Sequence, residues 1–268
     1  MRRKARPGAG FALENPEPGT RYSYSEALIN PARGKGAAPV QPRVIFALTR
    51  PDYELLCHLA RARGRPAYLW DCAYRDGEWR GREMTLVAPA MGGPYAAMVL
   101  EKLIVLGAEM VLSLGWCGSL DPRVRIGSHI RPTRVQGADG TSPHYRREGM
   151  EICPDQRLAS LLDGYLARRG VSWHRGAVVS LDAYFRQTPA LVAGYREQGC
   201  LGVDLETAAL LSVGSFRGLA VAALLVVSDE LFDGQWRPGF NTPAFRRGRE
   251  VAAQVALETA AGWQEAHE

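Results

Sequence analysis

Three carboxylates in one stretch of the chain have the spacing and setting for chemistry. Asp204 and Glu206 stand one residue apart in Gly202-Val-Asp-Leu-Glu-Thr-Ala-Ala-Leu-Leu, and Asp229 closes an apolar run in Val226-Val-Ser-Asp-Glu. The first pair reads as the start of a helix that breaks at Gly218. The second segment, from Leu219, reads as a buried strand. A strand that delivers a carboxylate at its carboxyl end lies where open α/β sheets place their ligand crevice. In such a crevice a carboxylate can accept from hydroxyl groups, stabilise a developing positive charge or, where burial raises its pKa, donate a proton. Each residue also has a plainer reading: Asp204 as an N-cap, Glu206 as a first-turn glutamate favoured by the helix dipole, Asp229 as a turn residue.

The elements that must position these groups alternate along the chain. Arg43-Val-Ile-Phe-Ala-Leu is a short apolar strand, followed by Thr49-Arg50-Pro51-Asp52 and a helix with Leu55, Leu56, Leu59 and Ala62 on one side, ending at Gly64. Further strands are expected near Ala67–Trp70 and Met84–Ala88, with a hairpin turn at Arg75-Asp76-Gly77-Glu78. Met91-Gly92-Gly93-Pro94 makes a tight turn, with Pro94 opening a helix to Gly107. Gly92 and Gly93 let a ligand approach the backbone or simply make that turn. The buried strand Ala108–Leu114 runs into Gly115-Trp116-Cys117-Gly118, a short strand lies around Ile126–Ile130, and Thr133 to Gly149 reads as a polar loop. Asp155 caps a helix reaching Arg169, Val171–Leu181 is a strand, a helix follows to about Gln198, and Thr242-Pro243 starts a terminal helix through Trp263. Without internal repeats, this order predicts a single α/β domain with a mostly parallel sheet covered on both faces. Residues 43–268 form that domain, and residues 1–42, with six of the 17 prolines, form an irregular basic arm.

Composition excludes several function classes. The formal net charge is +5, yet residues 1–43 hold eight bases and three acids, so the body is neutral and nothing draws in nucleic acid or a membrane surface. The longest apolar run, Leu219 to Val227, falls far short of the roughly 20 residues a spanning helix needs. The five cysteines form no Cys-x-x-Cys pair, which favours a reducing compartment and a cytoplasmic protein. His129, His144 and His174 lack metal-ligand spacing, so no metal is expected.

Three motifs stand in a definite order at strand ends: Gly115-Trp-Cys-Gly-Ser-Leu, Gly202-Val-Asp-Leu-Glu-Thr and Val226-Val-Ser-Asp-Glu. The ordered set resembles the superfamily of purine nucleoside and uridine phosphorylases that also holds methylthioadenosine/adenosylhomocysteine nucleosidase, over roughly residues 43 to 262. The resemblance implies a three-layer α/β domain with a central mixed, partly barrelled sheet flanked by helices, and cleavage of a nucleoside N-glycosidic bond. It carries the ribose-binding pair onto Leu205 and Glu206, with Asp204 before them, and the base-protonating residue onto Asp229. The aromatic base contact falls on Tyr184, with Phe185 beside it, and both are equally readable as ordinary packing. Asp229 favours a purine, and the Gln-x-Arg of the pyrimidine enzymes is absent. The partner implied is a small nucleoside, the assembly a homo-oligomer from dimer to hexamer, and there is no cofactor, with phosphate as a possible co-substrate.

The acceptor site departs from the resemblance. The usual Gly-Asp-Pro-x-x-Arg loop becomes Thr49-Arg50-Pro51-Asp52-Tyr53, Ser113 stands where a second phosphate arginine is expected, and Trp116 replaces a small hydroxyl residue. Arg50 and Ser113 are the remaining phosphate candidates, with Trp116 at the substrate. Three readings stay open: a phosphorylase with an atypical phosphate site, a hydrolytic nucleosidase, and a non-catalytic nucleoside-binding protein. A dinucleotide-binding reading is disfavoured because Gly115-x-x-Gly118 lacks the Gly-x-Gly-x-x-Gly spacing.

Overall fold

The computed structural model describes residues 27–146 and 149–264. Among these described residues, ten strands and six α-helices follow in the order β1 Arg43–Ala47, α1 Arg50–Leu59, β2 Ala67–Leu69, β3 Cys72–Trp79, β4 Arg82–Ala88, α2 Gly93–Leu106, β5 Met110–Ser119, β6 His129–Ala138, α3 Gln156–Ala167, β7 Trp173–Leu181, α4 Pro189–Glu197, β8 Cys200–Asp204, α5 Thr207–Arg217, β9 Ala220–Glu230, β10 Arg237–Pro238 and α6 Pro243–Gly262. Of the arm's central Tyr22-to-Ile29 stretch, Tyr22 to Glu26 lie outside the described residues. Leu28 and Ile29 are fully exposed, whereas Val40 is buried and its amide donates to Leu106 O at the end of α2.

β5 is the axis of the sheet. It pairs in parallel with β1 over its first half, in parallel with β9 along its whole length, and antiparallel with the end of β8 through Gly118 and Ser119. β6 joins β9 antiparallel and β7 in parallel, and β7 joins β8 in parallel, which closes the ring β5–β9–β6–β7–β8. β4, β3 and β2 extend from β1 as an open wing. The sheet is therefore mixed and partly closed, rather than mostly parallel as the alternation of elements alone suggests.

Side chains on both faces of the central strands are apolar, and the period of two decides which helices each set meets. Val44, Phe46, Val111, Val221 and Leu225 pack under α2 and α5. Ile45, Ala47, Leu112, Leu114, Leu224 and Val226 face α1, α3 and α6. A third, smaller cluster, with Leu120, Val179, Val203 and Val192 of α4, fills the far side of the ring.

Several local expectations shift. β3 runs straight through Arg75–Glu78, and the hairpin turns instead at Arg80-Gly81, where both residues take positive φ (51° and 75°). Arg75 and Asp76 pair with Leu86 and Thr85, so cross-strand pairing overrides the turn propensity of Asp-Gly. The strand expected at 126–130 lies at His129–Ala138, in the first part of what reads as a polar loop, because pairing with β7 satisfies its backbone despite its polar side chains. Asp204 ends β8 rather than opening the helix, and Glu206 takes the N-cap position of α5.

α2 and α5 lie side by side, and a buried bidentate pair joins them: Arg217 Nε and Nη2 donate to Glu101 at 2.9–3.1 Å. Breaking such a pair leaves an unpaired buried charge, at a typical cost of about 3–5 kcal/mol. Arg217→Met is expected to destabilise the fold by about that amount, measured as a lower urea midpoint. A midpoint equal to that of the parent chain would show that the pair does not hold the two helices.

Candidate active site

The segments at and just after the carboxyl ends of β1, β4, β5, β7, β8 and β9 enclose a cleft of about 140 Å³. Glu206, Asp229, Asp204, Leu205, Tyr184 and Trp116 all line it. It sits at the edges where strands of a wound sheet diverge and leave space for a ligand.

Glu206 is 6% exposed and accepts from the Gly92 amide through Oε1 at 2.6 Å. Among the described residues no side chain donates to it. Gly92 reaches that position with φ 86° and ψ 146°, a backbone region essentially restricted to glycine. The glycine of the Met91–Pro94 turn thus aims its amide at the carboxylate and does not itself line the cleft. Burial, and after it the charge of Asp204, pushes the Glu206 pKa up.

Asp204 borders the cleft but is engaged by the protein. Its Oδ1 accepts from Ser180 Oγ, and its Oδ2 accepts from the Thr207 hydroxyl and, at 3.1 Å, from the Thr207 amide. Ser180 Oγ in turn accepts from the Ala208 amide at 2.9 Å. These bonds tie β7 and β8 to the first turn of α5, so Asp204 anchors the helix that presents Glu206. Burial raises the Asp204 pKa while its donors lower it. With more donors than Glu206, Asp204 is the member of the pair that holds the negative charge.

Asp229 is 4% exposed. A register shift between β5 and β9 places Cys117 opposite Val227 and Gly118 opposite Asp229, so Ser228 is the extra residue of a bulge. A Cβ at Gly118 would stand 3.2 Å from Asp229 Oδ2 and would collide with Leu231, which gives the second glycine of Gly115-Trp-Cys-Gly its reason. Trp236 Nε1 donates to Asp229 Oδ2 at 2.9 Å. Ser228 Oγ lies 2.6 Å from Asp229 Oδ1 and 3.2 Å from Cys117 O. A hydroxyl has one proton, so when Ser228 donates to Cys117 O, Asp229 can carry a proton and donate it to Ser228. The serine therefore accommodates both states of the acid. Burial raises the Asp229 pKa, which keeps a proton on it closer to neutrality. Burial, with the nearby Asp204 and Asp229 charges, also drives the Cys117 thiol well above its usual value, so this cleft thiol is no nucleophile.

Tyr184 presents its ring to the cleft, whereas Phe185 is 93% exposed, meets Tyr184 edge-on at 5.0 Å and lies outside the lining. The two phosphate candidates are also elsewhere. Arg50 points out of α1 into solvent, ion-paired with Glu54 at 3.0 Å. Ser113 is buried where β5 runs between β1 and β9, and its hydroxyl has no partner. Pairing on both sides of β5 at that position takes Ser113 into the core, away from the strand end.

Trp116 has partners the sequence did not announce. Its Nε1 donates to Asp52 Oδ2 at 2.6 Å, Thr49 Oγ1 donates to the same oxygen at 3.0 Å, and Arg249 Nε of α6 donates to Asp52 Oδ1 at 2.6 Å. The Arg249 guanidinium lies 5.3 Å from the Trp116 ring centre, and Phe245 meets the indole edge-on at 5.0 Å. Asp52 was legible as a first-turn residue of a Thr-x-x-Asp start, but Arg249 is 197 residues away and carried no local signal. Ser228, Trp236 and Phe240 likewise enter the site through tertiary packing.

A family model for the phosphorylase superfamily matches residues 57–261, and the chain belongs to that superfamily. Guanosine phosphorylase of Halorubrum lacusprofundi is 26% identical over 159 residues, covering 59% of this chain and 66% of that enzyme. A DeoD-type purine nucleoside phosphorylase of Alkaliphilus metalliredigens is 25% identical over 188 residues, 69% of this chain and 78% of the relative. Among solved structures, uridine phosphorylase from Vibrio fischeri superposes with a TM-score of 0.75 at 26% identity, covering 82% of this chain and 92% of its own. Purine nucleoside phosphorylase from Toxoplasma gondii, in complex with immucillin-H, shares the fold with a TM-score of 0.77 at 20% identity, covering 85% and 97%.

The hydrogen bond from Trp236 to Asp229 favours the ionised acid. Trp236→Phe is expected to lower kcat/KM roughly tenfold, equal to about 1.4 kcal/mol, and to move the alkaline limb of the pH profile upward because a bond to the carboxylate is lost. A lowered rate with an unmoved limb would reduce Trp236 to a packing role.

Proposed function

We propose that this protein cleaves the N-glycosidic bond of a purine nucleoside, with Glu206 at the sugar and Asp229 at the base. The observation that carries the reading is the meeting, in one cleft, of a buried carboxylate held by a backbone amide and a buried acid whose surroundings accept its proton. A carboxylate can accept from two vicinal hydroxyls, and its charge opposes the positive character the sugar acquires as the bond weakens. A purine leaving as an anion is a poor leaving group, and a proton placed on its ring nitrogen makes it neutral. General acid catalysis of that kind typically contributes ~10²–10⁴-fold. Tyr184 offers a ring against which a flat base can pack. The relatives named guanosine phosphorylase and purine nucleoside phosphorylase support the purine assignment.

The two groups require opposite protonation states. Glu206 acts ionised and Asp229 acts protonated, while burial raises both pKa values. Low pH protonates Glu206, whose pKa is held at about 8 by burial and by Asp204, and high pH ionises Asp229, so activity falls on both sides and the profile is a bell. With a panel of purine and pyrimidine nucleosides assayed for released base, purine release is expected to dominate. Glu206→Gln is expected to remove the acid limb and Asp229→Asn the alkaline limb, each lowering turnover ~10²-fold or more. Rates that match the parent protein in both variants would remove these two assignments, and faster release from uridine would remove the purine.

We further infer that the chain works in the cytoplasm, which its five unpaired cysteines favour, and as a homo-oligomer, since Tyr68, Trp70 and Met98 are exposed on β2, its following turn and α2, which Tyr95 ties together. The expected solution mass is a multiple of the single-chain 29.3 kDa, read by light scattering. A mass of one chain at working concentration would count against assembly.

A further inference from the structure

We propose that the nucleophile in this cleft is water and that the protein is a nucleoside hydrolase with no use for inorganic phosphate. The proposal rests on the reading above that a nucleoside is cleaved here, and it adds what attacks the sugar.

Among the described residues the cleft has no device for holding a phosphate dianion. Seventeen residues line it, and none is Lys, Arg or His; three are the carboxylates Asp204, Glu206 and Asp229. Phosphate recognition relies on charge-assisted donors, each worth roughly 1.5–3 kcal/mol. Here a dianion would meet the negative charge of Asp204 and of ionised Glu206, with no cation beside it in the lining.

The cation nearest the wall is already neutralised. Arg249 stands over Trp116, and its Nε is bound to Asp52, which is 1% exposed and also takes the Trp116 and Thr49 donors. The result is a formally neutral cluster of acid, guanidinium, indole and hydroxyl, with Trp116 and Thr49 bordering the cleft. Freeing Arg249 for a ligand would strand a buried carboxylate, a change of the costly kind. Arg50, the other cation of that corner, is 79% exposed and paired with Glu54.

The starts of α2 and α5 are likewise occupied. Amides at helix N-termini are ready anion sites. The Gly92 amide at the start of α2 is bound to Glu206, and the Thr207 and Ala208 amides of α5 are bound to Asp204 and Ser180. What these amides hold is the machinery itself.

Water needs none of those devices. The C1′–N bond breaks with its electron pair passing to the base, whose ring nitrogen takes the Asp229 proton. The Glu206 carboxylate stabilises the sugar cation. A water oxygen bonds to C1′ and releases its proton to solvent, from which Asp229 is reprotonated. The products are the free base and the free sugar.

The test incubates the full-length protein with a purine nucleoside in phosphate-free buffer and with added inorganic phosphate. Released base and reducing sugar are assayed, and ³¹P NMR looks for a sugar 1-phosphate. Free sugar formed at a rate that phosphate changes by less than about twofold is the expected result. Cleavage that requires phosphate and yields sugar 1-phosphate overturns the proposal and leaves nucleoside cleavage standing; it would mean that a second copy or residues 1–26 bring a cation to the cleft. Absence of release under both conditions removes nucleoside cleavage instead. Calorimetric titration with inorganic phosphate decides the acceptor question independently of activity: saturable millimolar or tighter binding that competes with a nucleoside overturns the proposal, and no heat of binding supports it.

Discussion

The parallel pairing of β5 with β9 is the constraint from which the site follows. Ten register pairs hold the two strands together from Met110–Ala220 to Ser119–Glu230, and β5 serves three neighbours at once. Both strands are apolar on both faces, so helices must cover them on each side, and neither can slip by one residue without exchanging two buried sets. The single irregularity in this ladder falls at Ser228. Bulges re-aim side chains at the edge of regular pairing, and here the bulge turns a strand end into a seat for an acid, with Gly118 supplying the room.

A second set of contacts fixes Glu206 relative to that acid. β7, β8 and α5 are bound through Ser180, Asp204 and Thr207, and α2 is bound to α5 through Glu101 and Arg217. Glu206 lies between these two anchorages and takes the Gly92 amide. The carboxylate pair divides its work by hydrogen bonding: Asp204 is saturated with donors and structural, and Glu206 is sparsely bonded and open to a ligand. A residue-type description treats them alike; the donors distinguish them.

The third corner of the cleft is where this chain differs in chemistry from what its motifs suggest. The buried Asp52–Arg249 pair with Trp116 makes a wall of neutral, aromatic character. Its positive charge is balanced within the protein, so the electrostatics of the cleft are set by carboxylates alone.

The sequence by itself determined the alternation of strands and helices, the order of the three motifs, and the three carboxylates within them, because these depend on short-range periodicity and on residue types set within a few positions. It misplaced the hairpin at Arg75–Glu78 and read much of β6 as loop, since cross-strand pairing decided both. It assigned Arg50, Ser113 and Phe185 to the site by position in a motif. The fold put them in solvent, in the sheet and at the surface, because a side chain's direction depends on the elements beside it. Only the tertiary structure decided the closed ring of strands, the role of Asp204 as anchor, the Trp236 bond to Asp229 and the partnership of Asp52 with Arg249. Each of these joins residues that local sequence cannot relate, and their energies arise from burial, where an unpaired charge is costly and a shared donor selects which acid holds its proton.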